Sequence, residues 1–304
     1  MWTDEGGDRR VTITDVARRV GVSPATVSKV VNGRDGVAAA TSARVRAAIE
    51  DLGFESSLVA RSMRGQRTGN IGVLVSEFEA YSTELLKGAS EAVAGTGYGI
   101  LAYAGRRDVG ASDLGWERRS LARLSRTLFD AAIVVTPSTL ITEGFGIPLV
   151  AVDPHTGPEG PRTVDSDSSA GACTAVDHLL GLGHRRIAFL AGRADLASAR
   201  MREAGWRAAL ASAGIEPDER LIVAADYRAD LAASAARTLL ALPADVRPTA
   251  IFAANDRSAL AVLDVAAELG LRVPDDLSVM GYDDVPEAAR STPPLTTIAQ
   301  PLHE

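Results

Sequence analysis

Cysteine is almost missing from this chain: one residue in 304, Cys173. An internal disulfide framework is therefore excluded, and a reducing compartment fits. Histidine is scarce as well. His155, His178 and His184 lie near one another in sequence, but no HExxH or CxxC spacing accompanies them, so no metal site is expected. Long apolar runs are absent, and "MWTDEGGDRR" is no signal peptide. The expectation is a cytoplasmic protein with no membrane partner. No Walker lysine pattern, GxSxG elbow or His-Asp pair occurs. "GTGYG" at 95–99 follows a helical pattern and precedes a strand, the wrong order for a phosphate-cradling turn, and it reads better as a helix C-cap. Neither a catalytic site nor a cofactor is expected.

Positive charge is also in short supply, and it is unevenly spread. The formal net charge is −7. Residues 1–69 nevertheless hold eleven Arg/Lys against eight Asp/Glu, while the remainder holds 21 against 31. A basic head on an acidic body suits a small nucleic-acid module joined to a larger soluble one. With 304 residues, 46% of them hydrophobic, the chain can bury large cores and should form two or three domains.

The head is legible at "VTITDVARRVGVSPATVSKVVNG", residues 11–33. Thr12 is a good N-cap with Asp15 three residues on, as in a capping box, and Gly21 ends the first helix. Ser23 caps a second helix that opens with Pro24, where a missing N–H costs nothing. Val27, Val30 and Val31 face inward from it, and Asn32-Gly33 stops it. A third helix, roughly 41–52, carries Val45, Ala48, Ile49 and Leu52 on one side and closes a minimal core. Helix, short turn, helix is a helix-turn-helix arrangement, whose second helix enters the DNA major groove. Its outward residues are Pro24, Ala25, Ser28 and Lys29: Ser and Lys can bond phosphates or base edges, and Ala can touch a thymine methyl.

From Asn70 onward the texture changes. "NIGVLVS", "YGILAYA", "FDAAIVVTP", "IPLVAVD", "RRIAFLAG", "RLIVAAD", "TAIFAAND" and "DLSVMGYDD" are nearly continuous apolar runs alternating with helical segments. That pattern means doubly wound parallel sheets covered on both faces. Roughly 235 residues exceed one comfortable core, so two lobes are expected, meeting near "VDPHTGPEGPRTVD". Open parallel sheets bind ligands at the carboxyl ends of their strands. Asp153, Asn255, Asp256, Asp283 and Asp284 fall at such ends, where they can hold adjacent sugar hydroxyls. Arg202 adds a donor fork, and Tyr81, Trp206 and Tyr227 add aromatic faces. A periplasmic sugar carrier would share this body, but it would need a signal peptide and no DNA-binding head.

The head motif, "TSARVRAAIEDLGF", "ARSMRG", "DHLLGLGHRRIAFLAG", "IFAAND", "VPDDLSVMGYDDVP" and "PPLTTIAQP" together resemble the lactose-repressor/galactose-repressor family of transcription regulators. The resemblance covers the whole chain and implies an organisation: a helix-turn-helix head over 1–55, a hinge over 56–69, and a two-lobed effector-binding and dimerising body over 70–304 that resembles periplasmic sugar-binding proteins. By the same resemblance Pro24, Ala25 and Lys29 read bases, and Ser23, Ser28, Asn32 and Thr41 hold phosphates. Thr12 is counted with the DNA-contacting set. The hinge wedges an apolar side chain into the minor groove; the usual leucine is replaced by Met63, and the usual Pro-Asn before the hinge by Ser56-Ser57. Ala38 stands where a serine tends to cap the third helix. Arg202, Asn255 and Asp283 would contact the effector, with Asp153 in the cleft, Tyr227 stacking and Tyr81 on the other lobe. "FEAYSTELL" departs from the usual Asn-Pro-aromatic-aromatic form. The chain stops at "TTIAQPLHE", about where the family adds a further helix and strand, so an uncovered sheet face is expected there.

These readings imply double-stranded operator DNA with a pseudo-palindromic sequence, a small-molecule effector of sugar type, and a homodimer. Two-fold symmetric dimers match pseudo-palindromic sites. Equilibrium sedimentation of the full chain at micromolar concentration should therefore return twice the chain mass; a single-chain mass would refute it.

Overall fold

The computed structural model describes residues 11–54, 67–105, 115–141, 144–156 and 162–304. The chain divides into two compact units, Met1–Thr68 and Gly69–Glu304. Among the described residues, no helix is long and apolar enough to cross a membrane.

Among its described residues the first unit holds three helices: α1 (Ile13–Val20), α2 (Pro24–Val31) and α3 (Ala39–Leu52). Thr12 caps α1 through a reciprocal box. Its side chain accepts the Asp15 N–H, and the Asp15 carboxylate accepts the Thr12 N–H at 3.0 Å. Gly21 ends α1 in the left-handed region at φ 75°, which only glycine adopts without cost. Ser23 then caps α2 by accepting the Thr26 N–H at 3.1 Å, with Pro24 at the first position. Val16, Ala17, Val20, Val27, Val30, Val45 and Ala48 form one buried cluster. Val31, read as inward, is only partly buried at its edge. α3 begins two residues before the expected Thr41, because Ala39 and Ala40 are strong helix formers. Its N-cap residue is Ala38, and no side chain bonds the free N–H groups there.

The second unit is two parallel sheets with helices on both faces. β1 (Asn70–Val75), α4 (Ala80–Ala92), β2 (Gly99–Ala104), α5 (Trp116–Leu124), β3 (Ala131–Val135), β4 (Leu149–Val152) and β5 (Arg162–Val164) make the first lobe. Its strand order is β2-β1-β3-β4-β5. α6 (Ser168–Gly181), β6 (Ile187–Ala191), α7 (Ala197–Ser212), β7 (Ile222–Ala224), α8 (Ala229–Leu240), β8 (Ala250–Ala253), α9 (Asp256–Glu268), β9 (Ser278–Asp283), α10 (Pro286–Arg290) and β10 (Thr296–Ala299) make the second, ordered β10-β9-β8-β6-β7. Read from its own first strand, each lobe has the same 2-1-3-4-5 topology, whose switch point lies between its first and third strands. All pairings between these strands are parallel.

Parallel strands need both faces covered, and each lobe has a cluster on either side of its sheet. In the second lobe, Phe189, Trp206 and Phe252 pack with Ala172, Val176 and Met280 on one face, and Leu190, Ile251, Val262 and Leu239 fill the other. α6 and α7 approach closely at Gly205, where a Cβ would stand 2.4 Å from the Ser169 carbonyl oxygen. Two readings change here. The stretch expected as the junction between lobes contributes β5 to the first lobe, and its residues 157–161 lie outside the described residues. Trp206, expected as an aromatic face of the cleft, is fully buried in the second-lobe core, stacked on Phe189 at 6.0 Å.

The uncapped start of α3 makes a direct test. Ala38→Ser should stabilise the three-helix unit by about 1 kcal/mol, the usual worth of an N-cap hydroxyl. Denaturant unfolding followed by amide exchange of the head within the full chain reads the gain; no change would mean that the α3 N–H groups are already satisfied.

Candidate functional site

The carboxyl ends of the strands in both lobes face one cleft of about 490 Å³, within the usual range for small-molecule sites. The first lobe supplies Ser76 and Glu77 after β1, Thr136 and Ser138 after β3, Asp153 and His155 after β4, and Tyr81 and Glu117 from the first turns of α4 and α5. The second supplies Arg193 after β6, Arg202 from α7, Asp226, Tyr227 and Arg228 after β7, Asn255 after β8 and Asp283 from the end of β9. Most described non-glycine residues with positive φ gather here: Thr136, Asp153, Asp226, Tyr227 and Asp283. Backbone strain of this kind concentrates at functional sites.

Arg202 is the centre of the second-lobe wall. It is 4% exposed, and its guanidinium lies over the Tyr282 ring at 3.8 Å and over Tyr227 at 6.0 Å. Nη1 donates to the Ala254 carbonyl at 2.5 Å and stands 3.6 Å from Asp283 Oδ1, while Nε has no partner among the described residues. Burial pulls its pKa down, but Tyr227, Asp283, Tyr282 and Asp153 outweigh that and raise it. Asp283 moves the other way from an ordinary carboxylate. Burial pushes its pKa to about 7, against the pull of Arg202, and Gln300 Nε2 donates to Oδ1 at 2.7 Å. Burial likewise lifts Tyr227 to about 12 and raises Tyr81 and Asp153. Asp153 accepts from Ser198 Oγ at 2.9 Å, and His155 Nδ1 meets Asp195 Oδ2 at 3.1 Å; both contacts join one lobe to the other.

Six residues expected at the effector site, Tyr81, Asp153, Arg202, Tyr227, Asn255 and Asp283, all line this one cleft. Asn255 also caps α9, accepting the Ser258 N–H at 3.0 Å. Asp256 and Asp284, read with them at strand ends, do not line it. The Asp256 carboxylate points inward, accepting from the Val285 N–H at 2.9 Å and Thr297 Oγ1 at 2.5 Å, and so ties α9 to β10. Sequence reasoning missed Tyr282, Glu117, His155 and Ser198. "GYDD" drew notice for its acids, yet its tyrosine carries the cation, and its hydroxyl sits where a Cβ on Gly171 would stand 2.4 Å away.

In the head, Ser23, Pro24, Ala25 and Lys29 are exposed along α2, and Thr12 is exposed at the α1 cap. Ser28 and Asn32 are half-buried and joined, Asn32 Nδ2 donating to the Ser28 carbonyl at 2.6 Å and to its Oγ at 3.2 Å. Thr41 is half-buried in the first turn of α3. Met63 and most of the 56–69 hinge lie outside the described residues. Among the described residues, no group of three or more His, Cys, Asp or Glu is placed to hold a metal.

Residues 12–57 match the bacterial regulatory proteins of the lacI family, and residues 176–304 a periplasmic binding protein-like domain. The HTH-type transcriptional repressor PurR of Photobacterium profundum is 35% identical over 299 residues, 95% of this chain and 87% of its own length. The chain belongs to the lacI family. The ribose operon repressor of Escherichia coli is 34% identical to this lacI-family chain, over 96% of it and 89% of the relative. A crystal structure of the lac repressor dimer bound to operator and the anti-inducer ONPF shares its fold with TM-score 0.77 and 29% identity, over 97% of this chain and 89% of that one. A lacI-family chain with this fold is a DNA-binding transcriptional regulator governed by a small-molecule effector, and not an enzyme.

The cleft carboxyls carry a pH signature. Asp283 has its pKa raised from 3.8 to about 7 in the folded lacI-family body, so its contribution to stability is complete below about pH 4 and is lost as pH rises through 7. Asp283→Asn, which keeps an acceptor for Gln300, should therefore gain on the native chain in thermal midpoint between pH 4 and pH 7. A constant difference across that range would show that Asp283 titrates normally.

Proposed function

We propose that this lacI-family chain represses transcription as a homodimer on a pseudo-palindromic operator, with affinity set by a sugar held between the lobes. One observation carries the reading. A self-contained three-helix unit with an open α2 surface shares its chain with a cleft where donors and acceptors from both lobes converge. Pro24, Ala25 and Lys29, exposed on α2, take the base edges. Thr12, Ser23, Ser28, Asn32 and Thr41 position the helix on phosphates, and Met63 serves the hinge as its minor-groove wedge. In the cleft, Arg202, Asp283 and Asn255 take effector hydroxyls from the second lobe, Tyr227 offers a stacking face, and Tyr81 and Asp153 close from the first.

The relatives' names agree with this: a ribose operon repressor, and a lac repressor bound as a dimer to its operator. No catalytic step is required. A ligand that binds one arrangement of the lobes better shifts the population toward it, and linkage makes operator binding and effector binding affect each other by the same factor.

In vitro selection of DNA from a random library by the full chain is the test. It should recover a pseudo-palindrome with half-sites about one helical turn apart. Lys29→Ala should then weaken the selected site by about 5- to 100-fold and relax preference at one base pair per half-site. Recovery of no motif, with only weak salt-sensitive binding, would overturn the operator reading.

A further inference from the structure

Hydrogen-bond satisfaction in the cleft is lopsided, and the imbalance has a sign. Every arginine lining it already faces an acid: Arg193 with Asp195 at 2.6 Å, Arg228 with Asp230 at 2.6 Å, Arg257 with Glu77 at 3.7 Å, and Arg202 with Asp283 at 3.6 Å. His155 is held by Asp195. Of the helix N-termini at the cleft, those of α4 and α9 are taken by the protein's own side chains, while α5, α7 and α8 start without a side-chain cap. Glu79 accepts the Tyr81 and Ser82 N–H groups at the start of α4, and Asn255 caps α9.

Glu117 is the opposite case. It sits in the first turn of α5, is 0% exposed and lines the cleft. Its Oε1 accepts the Ser138 N–H at 2.6 Å, but its buried Oε2 has no partner among the described residues. Ser138 Oγ is also without one, and so is Arg202 Nε on the second lobe. A buried carboxylate oxygen without a donor is costly, and natural proteins rarely leave one so without a use. A ligand hydroxyl removes that cost; a ligand phosphate or carboxylate adds to it.

Resting on the sugar reading above, we propose that Glu117 is a specificity-determining residue of the effector cleft. Its free oxygen accepts a hydroxyl proton from an uncharged polyhydroxy effector and rejects acidic and phosphorylated sugars. A dianionic phosphate on the first-lobe side would meet Glu117, Asp153 and Glu79, while each arginine of the cleft already faces an acid. An uncharged sugar finds acceptors there and the free Arg202 Nε on the far wall, so one molecule can satisfy both lobes.

The experiment titrates the full chain calorimetrically with glucose, galactose, ribose and cellobiose, and by competition with glucose 6-phosphate, ribose 5-phosphate, glucuronate and galacturonate. A neutral sugar should bind, and its acidic counterpart should bind at least about tenfold more weakly, the usual scale for one lost charge-assisted bond. Glu117→Gln keeps the acceptor for the Ser138 N–H but replaces Oε2 by a donor. It should lower affinity for the neutral sugar by about tenfold while leaving or improving that for the acidic one, so the selectivity ratio collapses. A merely structural role would lower both alike. An acidic sugar binding as tightly as its neutral counterpart would overturn the proposal, as would a Glu117→Gln chain with an unchanged ratio; either leaves the sugar reading standing. Silence from every sugar overturns that reading, and this inference with it.

Discussion

A guanidinium buried at 4% exposure is the constraint around which the second-lobe wall is arranged. Taking a cation out of water costs several kcal/mol unless its surroundings replace the lost hydration. Here the replacement comes from separate elements: the Ala254 carbonyl after β8, Asp283 at the end of β9, the Tyr282 face one residue earlier, and Tyr227 after β7. Arg202 itself comes from α7, so the strand ends cannot shift independently of the helix. Gly192 belongs to the same device, because a Cβ there would stand 2.2 Å from the Tyr227 ring. The left-handed backbone at Tyr227 and Asp283 is tolerated because these contacts over-determine it.

The lobes are joined more lightly than each is built. The contacts that pass between them include Asp153 with Ser198, His155 with Asp195, Glu77 with Arg257 and, from the segment after β10, His303 with Glu84 at 2.8 Å. The ion pairs among them, partly exposed or long, are each worth of order 1 kcal/mol or less. A ligand that adds a handful of bonds to both walls therefore outweighs the existing bridges, which is the energetic condition for an effector to choose between lobe arrangements.

Much of this was legible in the residues, for physical reasons. Parallel strands buried on both faces must be apolar throughout, so "IAFLA" and "AIFA" announce themselves. The strands that escaped notice as strands are β5 and β10, at the sheet edges, where "RTV" and "TTIA" are half-exposed and mixed in character. Caps were readable because they are local: Thr12 with Asp15, Ser23 with Thr26. What could not be read is which acid at a strand end turns outward. Asp283 and Asp284 are neighbours, yet only the first lines the cleft, and Asp256 turns in to meet Val285 and Thr297, the latter 41 residues away. That choice is made by packing across elements, and sequence spacing does not contain it. Glu117 was invisible for the same cause, since in sequence it is one acid in "WERRSLARL", indistinguishable from a solvated helix face.

The same division between groups used for folding and groups left over explains the head. Ser23 has its oxygen engaged by the Thr26 N–H, and Asn32 has its amide engaged by Ser28. Hydroxyls and amides so committed can still meet a phosphate through a remaining lone pair or proton, but they are poorly free to reorient toward a base edge. The side chains with no structural duty on α2 are Pro24, Ala25 and Lys29, all exposed. Two of these three carry no side-chain donor or acceptor, so in the proposed interface they would read by shape and methyl contact. In the proposed interface Lys29 is the polar reader, on a flexible stem that reaches a guanine edge or a phosphate equally well. In both units, then, the proposed roles fall on groups the fold leaves unpaired: a lysine on α2, and in the cleft an arginine nitrogen and a glutamate oxygen.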